Sequence, residues 1–155
     1  MNITFDTTEF KKAINAAKEK VAAAARPAAQ AGAQVIYDQA KLNASTLRSK
    51  REHYFYGTTA KAAPKGQKKQ YRYGPYKPGT LYDSIYQAFS KDRSTATVST
   101  YHISWNAKKA PYGAMVELGT SRAAAHAFIG PAVVSQRDNA KNAMRQRFIQ
   151  EVNAQ

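Results

Sequence analysis

The side chains that can perform acid–base or metal chemistry are few in this sequence and lie far apart. The histidines and the scattered acids are His53, His102 and His126, with Asp38, Glu52, Asp83, Asp92, Glu117 and Asp138. The histidines share no metal-ligand spacing with each other or with acids, and no phosphate-binding loop, zinc-protease or nucleophile-elbow motif is present. We therefore expect no catalytic residue, no metal site and no cofactor. A metal-dependent nuclease that uses Glu117 with Asp83 stays open as a third hypothesis.

A basic, tyrosine-rich segment over residues 45–78 indicates a different kind of chemistry. The chain has 24 Lys and Arg against 10 Asp and Glu, a formal charge of +14, which attracts nucleic acid, anionic lipid or an acidic protein surface. Glycine and proline punctuate this segment, so we predict an extended loop or a hairpin of two short strands with its tip near residues 61–69. The candidate contacts with DNA or an acidic partner are Lys61, Lys65, Lys68, Lys69, Tyr71, Arg72 and Tyr73.

Two interpretations of this segment remain open. Aromatic rings among cations can stack on bases while the cations hold phosphates, although the aromatic-glycine signature of RNA-recognition motifs is absent. The alternative is a solvated loop whose aromatic residues anchor it to its own domain or to a neighbouring subunit.

Length and composition favour one domain over residues 1–155, with residues 45–78 as an extended insertion. The sequence has no cysteine, which excludes disulfides and thiolate metal sites. It also has no secretory signal and no apolar run of the roughly 18–20 residues that span a bilayer. We expect a protein that is made in a cytoplasm and does not enter a membrane.

The stretch Tyr112-Gly-Ala-Met-Val-Glu-Leu-Gly-Thr120 is the most distinctive part of the chain. Proline suits a first helical position and glycine the left-handed position after a helix end, so we predict a helix over Pro111–Leu118 that ends at Gly119. A strand remains open, because apolar residues also alternate here. Glu117 needs a partner if it is buried, and the backbone of residues 119–121 or Arg122 is the expected one.

Two long helices are predicted at the ends of the chain. A helical stripe follows three- and four-residue steps, and its members, apolar except for Gln39, are Phe10, Ile14, Ala17, Val21, Ala24, Ala28, Ala31, Val35, Gln39 and Leu42. Pro27 should kink this helix or open a second one. The stripe packs either within the chain or against another copy. A final helix is expected to open at Pro131, with Phe128 and Ile129 packed at its start. Its apolar face comprises Val133, Val134, Ala140, Met144, Phe148 and Val152.

Between these helices, Thr80 is expected to cap a short helical turn. Residues 85–89 and 95–105 then read as two strands joined by a polar connection. The predicted fold is therefore α+β. A long N-terminal helix, kinked near Pro27, and a C-terminal helix pack on a small antiparallel sheet, beside a long basic loop or hairpin.

Four motifs in sequence resemble the neck or tail-completion (head–tail joining) proteins of long-tailed phages. They are Val35-Ile-Tyr-Asp-Gln-Ala-Lys41, Pro78-Gly-Thr-Leu-Tyr-Asp-Ser-Ile85, the stretch from Tyr112 to Thr120, and Phe128-Ile-Gly-Pro-Ala132. Ala127 stands where that family usually has proline, and the basic segment is longer than the family's usual link. The structural motif carried over by resemblance comprises Tyr112, Val116, Glu117, Gly119, Thr120, Phe128 and Pro131.

The resemblance implies a structural, non-enzymatic virion protein that forms a homo-oligomeric ring, a hexamer, at the neck or top of the tail. Its implied partners are copies of itself, a head-completion or connector protein, a tail terminator or tube protein, and DNA in the channel. Its implied location is the virion, after assembly in the host cytoplasm. The alternative is a small basic nucleic-acid-binding module that uses residues 65–72.

Overall fold

The computed structural model describes residues 7–47, 50–59 and 69–154. Its elements, in chain order, are α1 (Thr8–Thr46), β1 (His53–Thr59), β2 (Lys69–Tyr76), α2 (Thr80–Ser84), β3 (Ile85–Phe89), a 3-10 turn (Lys91–Arg93), β4 (Tyr101–Trp105), α3 (Gly113–Leu118) and α4 (Ile129–Ala154). β1 pairs with β2, and β3 pairs with β4. The predicted α+β class is confirmed, with two small antiparallel sheets in place of one.

The chain divides into two compact units, and both long helices contribute to each of them. The first unit comprises Met1–Asp38, Gln87–Ile103 and Val133–Gln155, and the second comprises Gln39–Tyr86 and Ser104–Ala132. The single domain over residues 1–155 stays a prediction. Within the described residues, no helix combines the length and the apolar character that crossing a membrane requires.

Helix α1 runs as one element of 39 residues through Pro27. The alternative in which Pro27 opens a second helix is therefore wrong, and the kink stays a prediction. Proline removes only one backbone donor, and the alanines that surround it, including the buried Ala24 and Ala28, have the highest helix propensity. The helix propensity and the packing of these alanines therefore stabilise α1 by more than Pro27 destabilises it.

The core of the first unit is built from small residues. Ala24, Ala28, Ala29 and Ala140 are buried, and a Cβ added at Gly32 would overlap the Met144 side chain. Such residues let α1 and α4 approach closely. In α1 the larger stripe residues Phe10, Ile14, Val21 and Leu42 are exposed, which leaves packing against another copy open for them. In α4, Val133, Val134 and Met144 of the predicted apolar face are exposed, which corrects that part of the prediction.

Two local predictions on either side of β3 are wrong. Residues 95–100 do not form a strand, because side chains bond the backbone there and compete with a ladder. The Ser94 hydroxyl donates to the Ser90 carbonyl at 2.6 Å, and the Thr100 hydroxyl donates to the Arg93 carbonyl at 2.8 Å. Thr80 does not cap α2, since its hydroxyl donates to the Lys77 carbonyl at 2.7 Å and Gly79 occupies the cap position.

Candidate assembly surface

Glu117 joins α3 to the start of α4. Its Oε2 accepts hydrogen bonds from the backbone N–H groups of Phe128 at 2.8 Å and Ile129 at 3.1 Å, and its Oε1 accepts one from Gly130 at 2.8 Å. The prediction of a structural carboxylate agrees with this geometry. The predicted partners, the backbone of residues 119–121 and Arg122, are wrong. We call this arrangement the α3–α4 joint.

The joint satisfies the free donors in the first turn of α4. A helix N-terminus leaves N–H groups without intrahelical partners and carries partial positive charge. A carboxylate there makes charge-assisted hydrogen bonds. Pro131, the next residue, has no N–H to satisfy. It lies inside the first turn of a helix that begins at Ile129, so its predicted role of opening the helix is displaced by two residues.

The turn between the two helices holds the carboxylate in place. Gly119 has φ of 74° and ψ of −177°, a positive φ as predicted but with extended ψ, so the predicted left-handed conformation is wrong. A Cβ at Gly119 would lie 2.7 Å from the Ala125 nitrogen. Thr120 Oγ1 accepts from the Ala123 N–H at 3.0 Å, and the Val116 carbonyl accepts from the His126 N–H at 2.8 Å.

Phe128 packs the joint from inside. Its side chain has no exposed area, and its ring meets Trp105 edge to face with centroids 5.8 Å apart. Gly113 is required beside Trp105, since an added Cβ would overlap the indole. Asn43 Nδ2 donates to the Phe128 carbonyl at 3.0 Å. Sequence reasoning missed the roles of Asn43 and Trp105, because both depend on contacts between distant segments.

An aromatic cluster of His53, Tyr76 and Tyr112 joins the β1–β2 hairpin to the turn before α3. Ring centroids are 4.9 Å apart for the two tyrosines and 5.1 Å apart for His53 and Tyr112. Burial raises the pKa of the Tyr112 phenol above its usual value, Tyr76 adds to the rise, and a backbone hydrogen bond with Leu81 opposes it. The predicted helix over Pro111–Leu118 begins two residues later, at Gly113, with Pro111 and Tyr112 in the preceding turn.

Four of the candidate contact residues, Lys69, Tyr71, Arg72 and Tyr73, belong to strand β2 of the hairpin. The pairing sets Tyr71 opposite Gly57, Arg72 opposite Tyr56, and Lys69 opposite Thr59, which agrees with the predicted pair of strands. The Arg72 guanidinium lies 3.5 Å from the centroid of the Tyr54 ring, and Tyr73 is 46% exposed. Lys61, Lys65 and Lys68 lie outside the described residues.

Several large apolar side chains face outward from the helices. Leu118 and Met115 of α3 are exposed, at 79% for Leu118, and Val134 of α4 is 80% exposed. The helix that contains the structural carboxylate of Glu117 therefore also carries two exposed apolar side chains, Met115 and Leu118. Within the described ranges, no group of three His, Cys, Asp or Glu residues is placed to hold a metal ion.

Comparison with known protein families, curated proteins and solved structures finds no match for this chain. The contacts described above are therefore the basis for the proposed function.

Proposed function

We propose that this chain is a structural virion protein of a tailed phage or prophage. It acts without catalysis or a cofactor and forms a homo-oligomeric ring, a hexamer, at the neck or top of the tail. There it joins head-completion or connector proteins to a tail terminator or tube protein around the DNA channel. The observation that carries this proposal is the exposure of Met115 and Leu118 in α3, the helix whose acid, Glu117, has a structural role.

The role of Glu117 supports a scaffold in preference to an active site. Both of its carboxylate oxygens accept backbone N–H groups at the start of α4. A general base needs a free lone pair directed at substrate, whereas these oxygens are directed at the helix. Asp83, the acid suggested as its nuclease partner, is exposed on α2.

The exposed apolar residues support repeated contacts between subunits. Large exposed apolar side chains are candidate anchors, because apolar anchors that become buried carry most of the affinity in contacts between proteins. A ring forms when one face of each copy meets a different face of the next and the rotation closes. The two-stranded sheets also offer strand edges for pairing with a neighbour.

Native mass spectrometry of the purified chain, alone and mixed with the head-completion and tail proteins of the same genome, tests the proposal. We expect a closed oligomer, or a monomer that enters one when the partners are added. Leu118→Asp and Val134→Asp should each abolish assembly, because a charge replaces an apolar anchor. Asn142→Asp, an exposed substitution in the same helix as Val134, is the matched control. Monomers of the unmodified chain and of Asn142→Asp, both alone and with the partners, would contradict the proposal.

The nucleic-acid-binding module is the second candidate. Among the described residues, Arg72 stacks on Tyr54, a contact that the hairpin makes within itself and that does not require a nucleic acid. We therefore rank this function below assembly.

A further inference from the structure

The start of α1 presents an apolar stripe that the described part of the chain leaves exposed. Every residue from Thr7 to Glu19 is exposed, including Phe10 at 68% and Ile14 at 38%, and Val21 is also exposed. The same stripe continues along the helix to Ala24 and Ala28, which are buried. We call Thr8–Val21 the docking segment.

The stripe has the spacing of a coiled-coil seam. Phe10, Ile14, Ala17 and Val21 follow steps of four, three and four residues, so they occupy the d and a positions of a heptad. This narrow seam suits one partner helix. Helices that lie in a lipid interface usually present a broader apolar face with more large residues, and here the d position at residue 17 is alanine.

The charges beside the seam identify the partner's chemistry. Lys11 and Lys18 occupy e positions and Lys20 a g position, where residues of two paired helices meet. Glu9 and Glu19 fall at c and f, away from the seam, and Glu9 pairs with Lys12 at 3.5 Å. A second copy of the segment would set lysine against lysine in an antiparallel pair and lysine against alanine in a parallel pair, so neither orientation gives the lysines an opposite charge. This pattern favours a partner with acids at these positions over a second copy.

We propose that the docking segment binds a helix of a different protein, one with an apolar seam flanked by Asp or Glu. The inference rests on the proposed assembly function and names the chemistry of one of its partners. The ring contacts themselves use other surfaces.

Two synthetic peptides of about four heptads test the proposal against the full-length chain. Both carry Leu at a and d. One has Glu and the other Lys at e and g, and like charges keep each peptide from pairing with itself. In fluorescence anisotropy at low salt, we expect the Glu peptide to bind on the order of tenfold more tightly than the Lys peptide, and this ratio should shrink as salt is added.

Variants test the apolar seam and the flanking lysines separately. The triple change Lys11→Glu, Lys18→Glu and Lys20→Glu should reverse the preference toward the Lys peptide, which a merely unfolded chain would not do. Ile14→Asp should weaken Glu-peptide binding about tenfold. Ile149→Asp, at an exposed position of α4, is the matched control and should leave binding unchanged.

Equal binding of the two peptides, or an unreversed preference in the triple variant, would overturn the proposal. So would equal losses of Glu-peptide binding in Ile14→Asp and Ile149→Asp.

Dissociation of a self-formed oligomer by Ile14→Asp would assign the segment to contact with a second copy of the chain. Ile14-dependent binding to phosphatidylglycerol vesicles, without discrimination between peptides, would assign it to lipid. If the chain stays monomeric with its head and tail proteins yet binds the Glu peptide selectively, the assembly function fails and the seam's acid preference stands.

Discussion

The α3–α4 joint and the docking segment use apolar residues in opposite ways. In the joint, Phe128 is fully buried and Glu117 satisfies the first turn of α4. In the docking segment, Phe10 is 68% exposed and its neighbours along the stripe contact solvent. Burying a side chain of this size stabilises by about 1.5–3 kcal/mol. In the joint, the burial of Phe128 stabilises the folded chain. In the docking segment, the exposed side chains would contribute the same kind of energy only when a partner buries them.

The boundary between the two behaviours falls within α1. Ala17 and Ala24 occupy equivalent positions of the stripe, yet Ala17 is exposed and Ala24 is buried. A simple hydrophobic rule would bury the larger side chains, and the structure does the opposite. Phe10 and Ile14 are exposed to solvent, while alanines form the contact between α1 and α4 because their small size allows close helix packing.

The largest effect is expected in the joint. Glu117→Ala should lower the free energy of unfolding by about 2–4 kcal/mol, since it removes charge-assisted hydrogen bonds and leaves helix N–H groups unpaired. Glu117→Gln keeps an acceptor but loses the charge, and should cost about half as much. Urea unfolding measures both.

The matched control for the joint is Glu151→Gln. Glu151 forms an i,i+4 ion pair with Arg147 on α4, and a partly exposed pair of this kind contributes up to about 1 kcal/mol. If Glu117→Ala cost no more than Glu151→Gln, the joint would not be a determinant of stability. Neither variant should change Glu-peptide binding at temperatures where the chain is folded.

A smaller effect is expected at the boundary in α1 between the exposed and the buried part of the stripe. Ala24→Leu should destabilise by about 1–3 kcal/mol, because added atoms overpack the contact in the first unit. Ala17→Leu should change stability by less than about 0.5 kcal/mol and strengthen peptide binding by enlarging the seam. Urea unfolding and anisotropy on the two variants provide the measurement. Equal destabilisation by both would place the boundary nearer the N-terminus than we describe.

The smallest effect concerns the pH dependence of stability, which should depend on the buried Tyr112 of the aromatic cluster. The folded pKa of Tyr112 is raised above the usual 10.0, so the folded state holds this proton more tightly than the unfolded state does. Its contribution to stability is fully present below pH 10.0 and is lost as pH rises through the folded pKa. Tyr112→Phe should flatten the alkaline decline in unfolding free energy, measured from about pH 8 to about pH 11.

Tyr73→Phe on the hairpin is the control for this titration. Tyr73 is exposed and lies outside the aromatic cluster, so its replacement tests whether the loss of any tyrosine hydroxyl has the same effect as Tyr112→Phe. A decline that persists in Tyr112→Phe would mean that other groups cause it.

Much of the secondary structure follows from the sequence alone. The recurring apolar steps and the high alanine content determine that α1 is a helix, because both are local properties of the chain. The two stretches rich in aromatic residues predict the paired strands β1 and β2, and Gly119 ends α3 with the positive φ that only glycine adopts readily. These features depend on neighbours within a few residues.

Only the tertiary structure decided the partner of Glu117 and the extent of cover on α1. Glu117 reaches a backbone N–H eleven residues away, and the intervening turn, which no helical or strand period describes, sets that approach. The three- and four-residue spacing of the α1 stripe is the same from Phe10 to Ala28, yet Phe10 and Ile14 are exposed while Ala24 and Ala28 are buried. Burial depends on where distant segments of the chain lie, and the residue pattern along one helix does not determine their positions.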